Sequence, residues 1–101
     1  MKKITILALD GGSTSSITGA MEVFHFAGLL WNVVCGKEPT PHFQVTIVSP
    51  DGTAVKCINR LYIEPHCAMD DVTDADLIMI CAIADDVRRV INKNTAAIDW
   101  L

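Results

Sequence analysis

Residues that could bind a ligand or take part in a reaction are concentrated between positions 10 and 16, where the sequence reads Asp-Gly-Gly-Ser-Thr-Ser-Ser. The glycines at 11 and 12 leave the backbone open to close approach by an anion. The pair alone is a weak signal, because the third glycine of a dinucleotide-binding fingerprint is missing. A plain tight turn is therefore the better interpretation of Gly11 and Gly12.

The hydroxyl groups that follow allow two interpretations of equal weight. Ser13, Thr14, Ser15 and Ser16 could present hydroxyls to a small polar effector. Serine and threonine also favour the cap and first turn of a helix, where their hydroxyls satisfy free backbone N–H groups. Glu22, two turns further along, could point into a pocket or an interface, although an exposed helical glutamate is the ordinary interpretation.

The histidine and cysteine residues give little support to metal or thiol chemistry. His66-Cys67 has poor spacing for zinc, because no second spaced pair accompanies it. Asp70 and Asp71 would oppose thiolate formation at Cys67. We therefore expect no bound metal and no cofactor. The cysteines form no C-x-x-C pair and are predicted to be reduced, mostly buried thiols: Cys35, Cys57, Cys67 and Cys81.

Composition and charge bound the class of protein. Half of the 101 residues are hydrophobic and the mean hydropathy is +0.35, which is apolar for one small domain, so we infer a missing neighbour, either an oligomer partner or more chain. A net charge of −4 without a basic cluster argues against DNA binding by these residues. The apolar run from Ile4 is too short for a signal peptide, and no run could cross a membrane, so a cytoplasmic protein is expected.

The elements that would hold the polar residues can be predicted in chain order. The apolar run 4–9 lacks polar alternation, which is typical of a strand covered on both faces. A helix is predicted over 15–35, ended by Gly36, because apolar residues recur there every three or four positions. A second strand is predicted over 43–48, and residues 49–52, Ser-Pro-Asp-Gly, are typical of a turn.

The order of elements predicts the N-terminal half of a doubly wound, flavodoxin-like α/β domain. Such a domain is a three-layer sandwich with a mainly parallel sheet, and residues 1–101 are expected to be a single, incomplete one. Residues 55–58 and 61–63 are predicted to form a hairpin or an irregular excursion, and residues 70–75 an acidic linker. A third strand, covered on both faces, is predicted over 76–81. A helix is predicted to begin at Asp85 and a further helical turn at Thr95, which could serve as its cap.

Three segments together resemble the PfpI-like branch of the class I glutamine-amidotransferase-like superfamily. Gly19-Ala20-Met21-Glu22-Val23-Phe24 is similar to the G-P-x-E-V-F of its first helix, residues 48–55 to its V-S-x-x-G-x-x-V turn, and residues 74–80 to its D-x-D-L-I strand. The form that the chain resembles is the N-terminal domain of AraC-family transcriptional regulators. The order and spacing of the segments, which span nearly the whole chain, carry the resemblance.

The resemblance implies where a catalytic site would lie, and this chain departs from it. Enzymes of the superfamily pair a nucleophilic cysteine with a carboxylate near the start of the first helix, where this chain has Ser16. The family's P-G-G, which lines the active-site pocket, falls at Ala82-Ile83-Ala84, and the cysteine elbow would lie beyond Leu101. We expect no catalytic residue here. The predicted ligand-binding residues are Gly11, Gly12, Ser13, Thr14, Ser16, Glu22, Ala82 and Ile83.

The first functional hypothesis is a non-catalytic domain of an AraC-type regulator that senses a small-molecule effector and forms a homodimer. DNA would be bound only through a separate helix-turn-helix domain outside these residues, and a gene without one would contradict the hypothesis. The alternative is the N-terminal half of a PfpI-like cysteine-dependent enzyme of the hydrolase, hydratase or glyoxalase type. A third hypothesis is a small α/β protein that exists only as a dimer.

Overall fold

The computed structural model describes residues 1–83 and 87–101. They form an α/β arrangement of short strands and helices. In chain order the elements are β1 (Lys2–Leu7), α1 (Thr14–Phe26), α2 (Leu30–Val34), β2 (Phe43–Ser49), β3 (Val55–Lys56), β4 (Tyr62–Ile63), β5 (Cys67–Ala68), a 3₁₀ helix (Met69–Asp71), β6 (Leu77–Ile80), α3 (Val87–Lys93) and α4 (Thr95–Trp100).

A parallel sheet of four strands forms the centre, in the order β5-β2-β1-β6. Ile4 of β1 lies in register with Val45 of β2 on one side and with Leu77 of β6 on the other. All three pairings are parallel, so the chain crosses over between neighbouring strands, as α/β folds require. The predicted α/β class with a mainly parallel sheet is confirmed.

The central strand β1 carries the core. Ile4, Ile6 and Leu7 are buried, and so is Thr5, which points to the opposite face from its neighbours. The absence of polar alternation in this run therefore reflects burial on both faces. Helix α1 packs against β2, where the rings of Phe24 and Phe43 meet edge to face with their centroids 5.1 Å apart.

The predicted single helix over 15–35 is wrong, because the chain breaks it at Gly28. Helix α1 ends at Phe26, Gly28 has a φ of +78°, and α2 begins at Leu30. The backbone leaves the helix at Ala27, whose ψ is 122°, and the Gly28 carbonyl accepts a hydrogen bond from the Thr40 N–H at 2.8 Å instead of from the next helical turn. A side chain at Gly28 would collide with the Thr40 carbonyl, so glycine is required at this break. Gly36 has the positive φ of 72° expected after a helix end, although the helix it follows is α2.

The excursion after β2 is a hairpin. Residues 49–52 turn the chain as predicted, with Gly52 at a φ of +80°, and the Asp51 carboxylate accepts hydrogen bonds from the Thr53 N–H and hydroxyl. Strands β3 and β4 then pair antiparallel, with Val55 opposite Ile63. Of the two possibilities left open by the sequence, the hairpin is the one that forms.

The segment after the hairpin differs from its predicted form. Strand β5 was not predicted, because two residues are too short to show a period, yet Cys67 pairs with Val48 of β2. The predicted acidic linker begins as the 3₁₀ helix that ends at Asp71. Strand β6 was expected to be covered on both faces. The described residues do not cover it, because Leu77, Ile78 and Ile80 are 39% to 48% exposed.

The last two helices are joined by Asn94. Its Nδ2 donates to the Val90 carbonyl oxygen at 2.8 Å, and Asn94, rather than the predicted Thr95, occupies the N-cap position of α4. The predicted helix start at Asp85 lies outside the described residues, whose helix α3 begins at Val87. In the part of the chain that the structure describes, no helix has the length and apolar content needed to span a bilayer.

Candidate functional site

The loop that follows β1 is a tight turn built on two glycines. Gly11 has a φ of +83°, and its N–H donates to the Lys56 carbonyl at 3.0 Å. The Gly12 N–H donates to the Leu9 carbonyl, also at 3.0 Å. A Cβ on the buried Gly12 would lie only 2.8 Å from the Cys81 sulfur. Both N–H groups are satisfied within the protein, which agrees with a structural turn rather than an anion cradle.

The start of α1 is fastened to the end of β6 through Ser16. The Ser16 Oγ accepts a hydrogen bond from the Ala82 N–H at 2.9 Å and donates to the Ser13 carbonyl at 2.7 Å. The Ser13 N–H donates to the Ala82 carbonyl at 2.8 Å, and Gly12 forms an isolated bridge with Ile83. Five of the predicted binding residues are thus brought together, but the Ser16 hydroxyl is already engaged as both donor and acceptor.

The other predicted residues have different surroundings. The Thr14 hydroxyl donates to the Asn59 side-chain oxygen at 2.9 Å, which ties α1 to the β3–β4 hairpin. Ser13 occupies the N-cap position of α1, but its hydroxyl makes no capping bond and lies 3.3 Å from the Ser15 hydroxyl. Glu22 is exposed on α1, two turns away from this cluster.

A polar cleft of about 570 Å³ opens beside the loop, at the carboxyl end of β1. A second cleft of about 540 Å³ shares Asp10 and Lys93 with it. The charged residues of the first cleft could not be predicted from the sequence, because its walls come from segments far apart in the chain. The only available signal was the position of Asp10 directly after a buried strand. The first cleft is lined by Asp10, Gly11, Lys56, Cys57, Ile58, Arg89, Val90 and Lys93.

The thiols nearest the loop are poorly suited to nucleophilic chemistry. Cys57 and Cys81 are both buried. Burial raises the pKa of the Cys81 thiol, and the nearby Cys57 acts in the same direction. Because the thiolate is the reactive form, Cys81 stays protonated and inert near neutral pH. Cys35 is exposed and Cys67 half-buried, so the prediction of mostly buried thiols holds for two of the four.

His66 has a structural role in the sheet. Its ring Nδ1 accepts a hydrogen bond from the Ile47 backbone N–H at 2.8 Å, and the backbone N–H of His66 donates to the Ile47 carbonyl at 2.7 Å. The imidazole nitrogen thus stands in for a backbone acceptor where β2 meets β5. Within residues 1–83 and 87–101, no cluster of three or more histidine, cysteine or acidic side chains could hold a metal ion.

No family model and no curated protein matches the chain, whereas solved structures match its fold. Drosophila melanogaster DJ-1beta superposes with a TM-score of 0.64 at 20% identity, over 82% of this chain and 39% of its own. A candidate transcriptional regulator from Vibrio parahaemolyticus superposes with a TM-score of 0.70 at 17% identity, and the match covers 98% of this chain and 48% of the regulator. An AraC family transcriptional regulator from Pseudomonas putida superposes with a TM-score of 0.61 at 22% identity, and the match covers 96% of this chain and 60% of the regulator.

The chain has the DJ-1 fold. The PfpI-like resemblance of the sequence is thereby confirmed at the level of the fold, and the compared structures include one AraC family regulator and one candidate transcriptional regulator. The chain spans 39% to 60% of the length of these three structures. In this DJ-1 fold the polar cleft lies beside the carboxyl end of β1, the edge at which open parallel sheets bind their ligands.

Proposed function

We propose that the chain is a non-catalytic, effector-sensing and dimerising domain of a cytoplasmic AraC-type transcription regulator. DNA would be bound by a separate helix-turn-helix domain outside these residues. The observation that carries the proposal is the Ser16 hydroxyl, which is held between the Ser13 carbonyl and the Ala82 N–H where the superfamily's enzymes have a carboxylate. A hydroxyl in this setting can position the backbone but cannot serve as a base near neutral pH.

The cleft supports a sensing role. Its volume of about 570 Å³ suits a small metabolite. Its walls come from the loop after β1, the β3–β4 hairpin and α3, three segments that a ligand would hold in one arrangement. A ligand that prefers one arrangement shifts the population toward it, and in a dimer this would change the spacing of the attached DNA-binding domains.

Exposed apolar residues on α2 support self-association. Trp31 is 70% exposed and Val34 is also 70% exposed, on a helix that has no buried residue. A second copy of the protein would remove this surface from water. We expect Trp31→Glu to shift the full-length protein from dimer to monomer in light scattering, with Lys37→Glu as a control in the adjoining loop. A dimer unaffected by Trp31→Glu would exclude α2 from the interface.

The exposed strand β6 supports the proposal that residues 1–101 form part of a larger domain. Its apolar side chains stand at the edge of the sheet, next to β1 alone among the described strands. Since the compared structures are longer than this chain, we propose that further residues of the domain cover this edge. Residues 1–101 expressed alone should then aggregate or show incomplete secondary structure in circular dichroism, and a well-folded monomer would contradict this.

The test of the proposed function is the continuation of the gene and the activity of its product. A downstream helix-turn-helix domain, with sequence-specific DNA binding by the full-length protein, is the expected result. A cysteine at a strand-to-helix elbow soon after Leu101, with turnover abolished by iodoacetamide, would instead establish the enzyme alternative.

A further inference from the structure

We propose that the cleft beside β1 binds a small hydroxylated dicarboxylate. Lys56 and Lys93 bind its two carboxylate groups, and the Asp10 carboxylate accepts a hydrogen bond from its hydroxyl group. The proposal rests on the sensing role above and specifies the chemistry of its effector. All three residues line the same cleft of about 570 Å³. They come from three different elements: the loop after β1, strand β3 and the last turn of α3.

The backbone fixes Asp10 and Lys56 relative to each other. The Asp10 Oδ1 accepts a hydrogen bond from the Lys56 N–H at 3.0 Å, and the Gly11 N–H donates to the Lys56 carbonyl at 3.0 Å. The loop and the hairpin are therefore joined through two hydrogen bonds. One wall of the cleft is preorganised, which lowers the entropy lost when a ligand binds.

The cleft carries positive charge in an acidic protein. The chain has a net charge of −4, yet among the described residues that line this cleft Lys56 and Lys93 accompany Asp10, the one acidic side chain of that set. Neither lysine ammonium is paired with a carboxylate among the described residues. An anionic ligand would gain two charge-assisted hydrogen bonds here without displacing an existing ion pair of either lysine.

A carboxylate fits this cleft better than a phosphate. Phosphate sites in proteins use free backbone N–H groups of glycine-rich loops, but the N–H groups of Gly11 and Gly12 already donate to carbonyls. Lys56 on β3 and Lys93 on α3 bring two ammonium groups to the cleft from separate segments, and a ligand with two anionic groups can bind both. Asp10 would repel an anion placed directly against it, whereas its Oδ2 can accept a hydrogen bond from a hydroxyl group, so the ligand needs a donor at that end.

The test uses malate as the probe, because it has two carboxylates and one hydroxyl, with the uncharged malamide as its matched control. Isothermal titration of the full-length protein should detect malate at millimolar concentration or below, with malamide at least ~10-fold weaker, which corresponds to about 1.4 kcal/mol. Lys56→Gln and Lys93→Gln should each weaken malate binding by ~5-fold or more. Lys37→Gln, in an exposed loop outside the cleft, should leave it unchanged.

Asp10→Asn tests the hydroxyl contact separately. The asparagine oxygen can still accept from the Lys56 N–H, so the wall should stay intact, as thermal melting of the variant would check. We expect wild-type protein to bind malate more tightly than succinate, which lacks the hydroxyl, and the variant to lose part of this preference.

Three results would overturn the proposal: no malate binding, equal binding of malamide, or full affinity in both lysine variants that remain folded. These results are independent of the proposed regulatory function, because the titration contains no DNA. A protein that binds malate through Lys56 and Lys93 but binds no DNA would contradict the regulatory function alone. A protein that binds DNA but does not bind malate would contradict the proposed effector alone.

Discussion

The Ser16 hydroxyl and the Ala82 N–H are 2.9 Å apart, and this hydrogen bond joins the first turn of α1 to the residue that follows the end of β6 by two positions. The two residues are 66 positions apart in sequence. Because Ser16 also donates to the Ser13 carbonyl, one hydroxyl holds the loop after β1, the start of α1 and the loop after β6 together. At the position where the family resemblance implies a carboxylate in the enzymes, this chain has a hydroxyl that fastens three backbone segments.

Replacing Ser16 with alanine should destabilise the protein by about 1 kcal/mol, because the Ala82 N–H loses its partner but can be partly rehydrated at an exposed residue. Urea unfolding of the full-length protein measures the change. Ser15→Ala is the matched control one position away, since the exposed Ser15 hydroxyl contacts only the Ser13 hydroxyl among the described contacts. Equal stability of both variants would show that the Ser16–Ala82 bond contributes nothing.

Gly12 and Gly19 offer a comparison between a crowded glycine and an open one. Gly12→Ala should lower the free energy of unfolding by about 1–3 kcal/mol, because the new Cβ would lie 2.8 Å from the Cys81 sulfur and 2.9 Å from the Leu9 carbonyl oxygen. Gly19→Ala, in the middle of α1 with no atom within 4 Å, should stabilise by about 0.5–1 kcal/mol. A stable Gly12→Ala variant would mean that the turn after β1 is looser than described.

Gly28 and Gly36 separate backbone strain from steric collision. Both have a positive φ, +78° and +72°, so alanine at either should cost about 1 kcal/mol through strain. At Gly36 the space is open, whereas at Gly28 a Cβ would collide with the Thr40 carbonyl and the His42 ring. We therefore expect Gly28→Ala to lower the melting temperature clearly more than Gly36→Ala. Equal effects would indicate that the loop ending at His42 moves aside easily.

The raised pKa of the Cys81 thiol predicts both its reactivity and a pH dependence. Near neutral pH, iodoacetamide should modify the exposed Cys35 well before the buried Cys57 and Cys81, which mass spectrometry can resolve. As pH rises above about 8.5, the unfolded state loses the thiol proton while the folded state keeps it, so stability should fall.

Cys81→Ala provides the control for this pH dependence. The variant should lose the part of the decline that Cys81 contributes. Rapid alkylation of Cys81 in the folded protein, at the rate of Cys35, would contradict the buried and protonated thiol.

Much of the fold could be predicted from the sequence, because the strongest signals are local. The apolar run that begins at Ile4 and the turn at residues 49–52 depend on neighbouring residues. The turn is where it was expected, and the first strand forms as predicted but covers Lys2–Leu7 instead of 4–9. The helix break at Gly28 was missed, since apolar periodicity continues through it and only the packing against Thr40 excludes a side chain. Strand β5 was missed because its two residues are defined by pairing with β2 alone.

Part of the geometry of the candidate site follows from the family resemblance. The resemblance placed Ser16 and Ala82 at one site, and a hydrogen bond joins them. It did not reveal that the Ser16 hydroxyl is engaged on both sides. Lys56 and Lys93 carry no local signal, because an exposed lysine in a hairpin and one at a helix end look ordinary until the folded chain places them around one cleft.

We propose that these residues belong to a DNA-binding regulator without catalytic function. The decisive measurement is chromatin immunoprecipitation of the tagged full-length protein, followed by sequencing. The predicted result is a small set of discrete, sequence-specific sites whose occupancy changes when the effector is supplied. A genome-wide profile with no enriched site, in cells that express the protein, would contradict the claim.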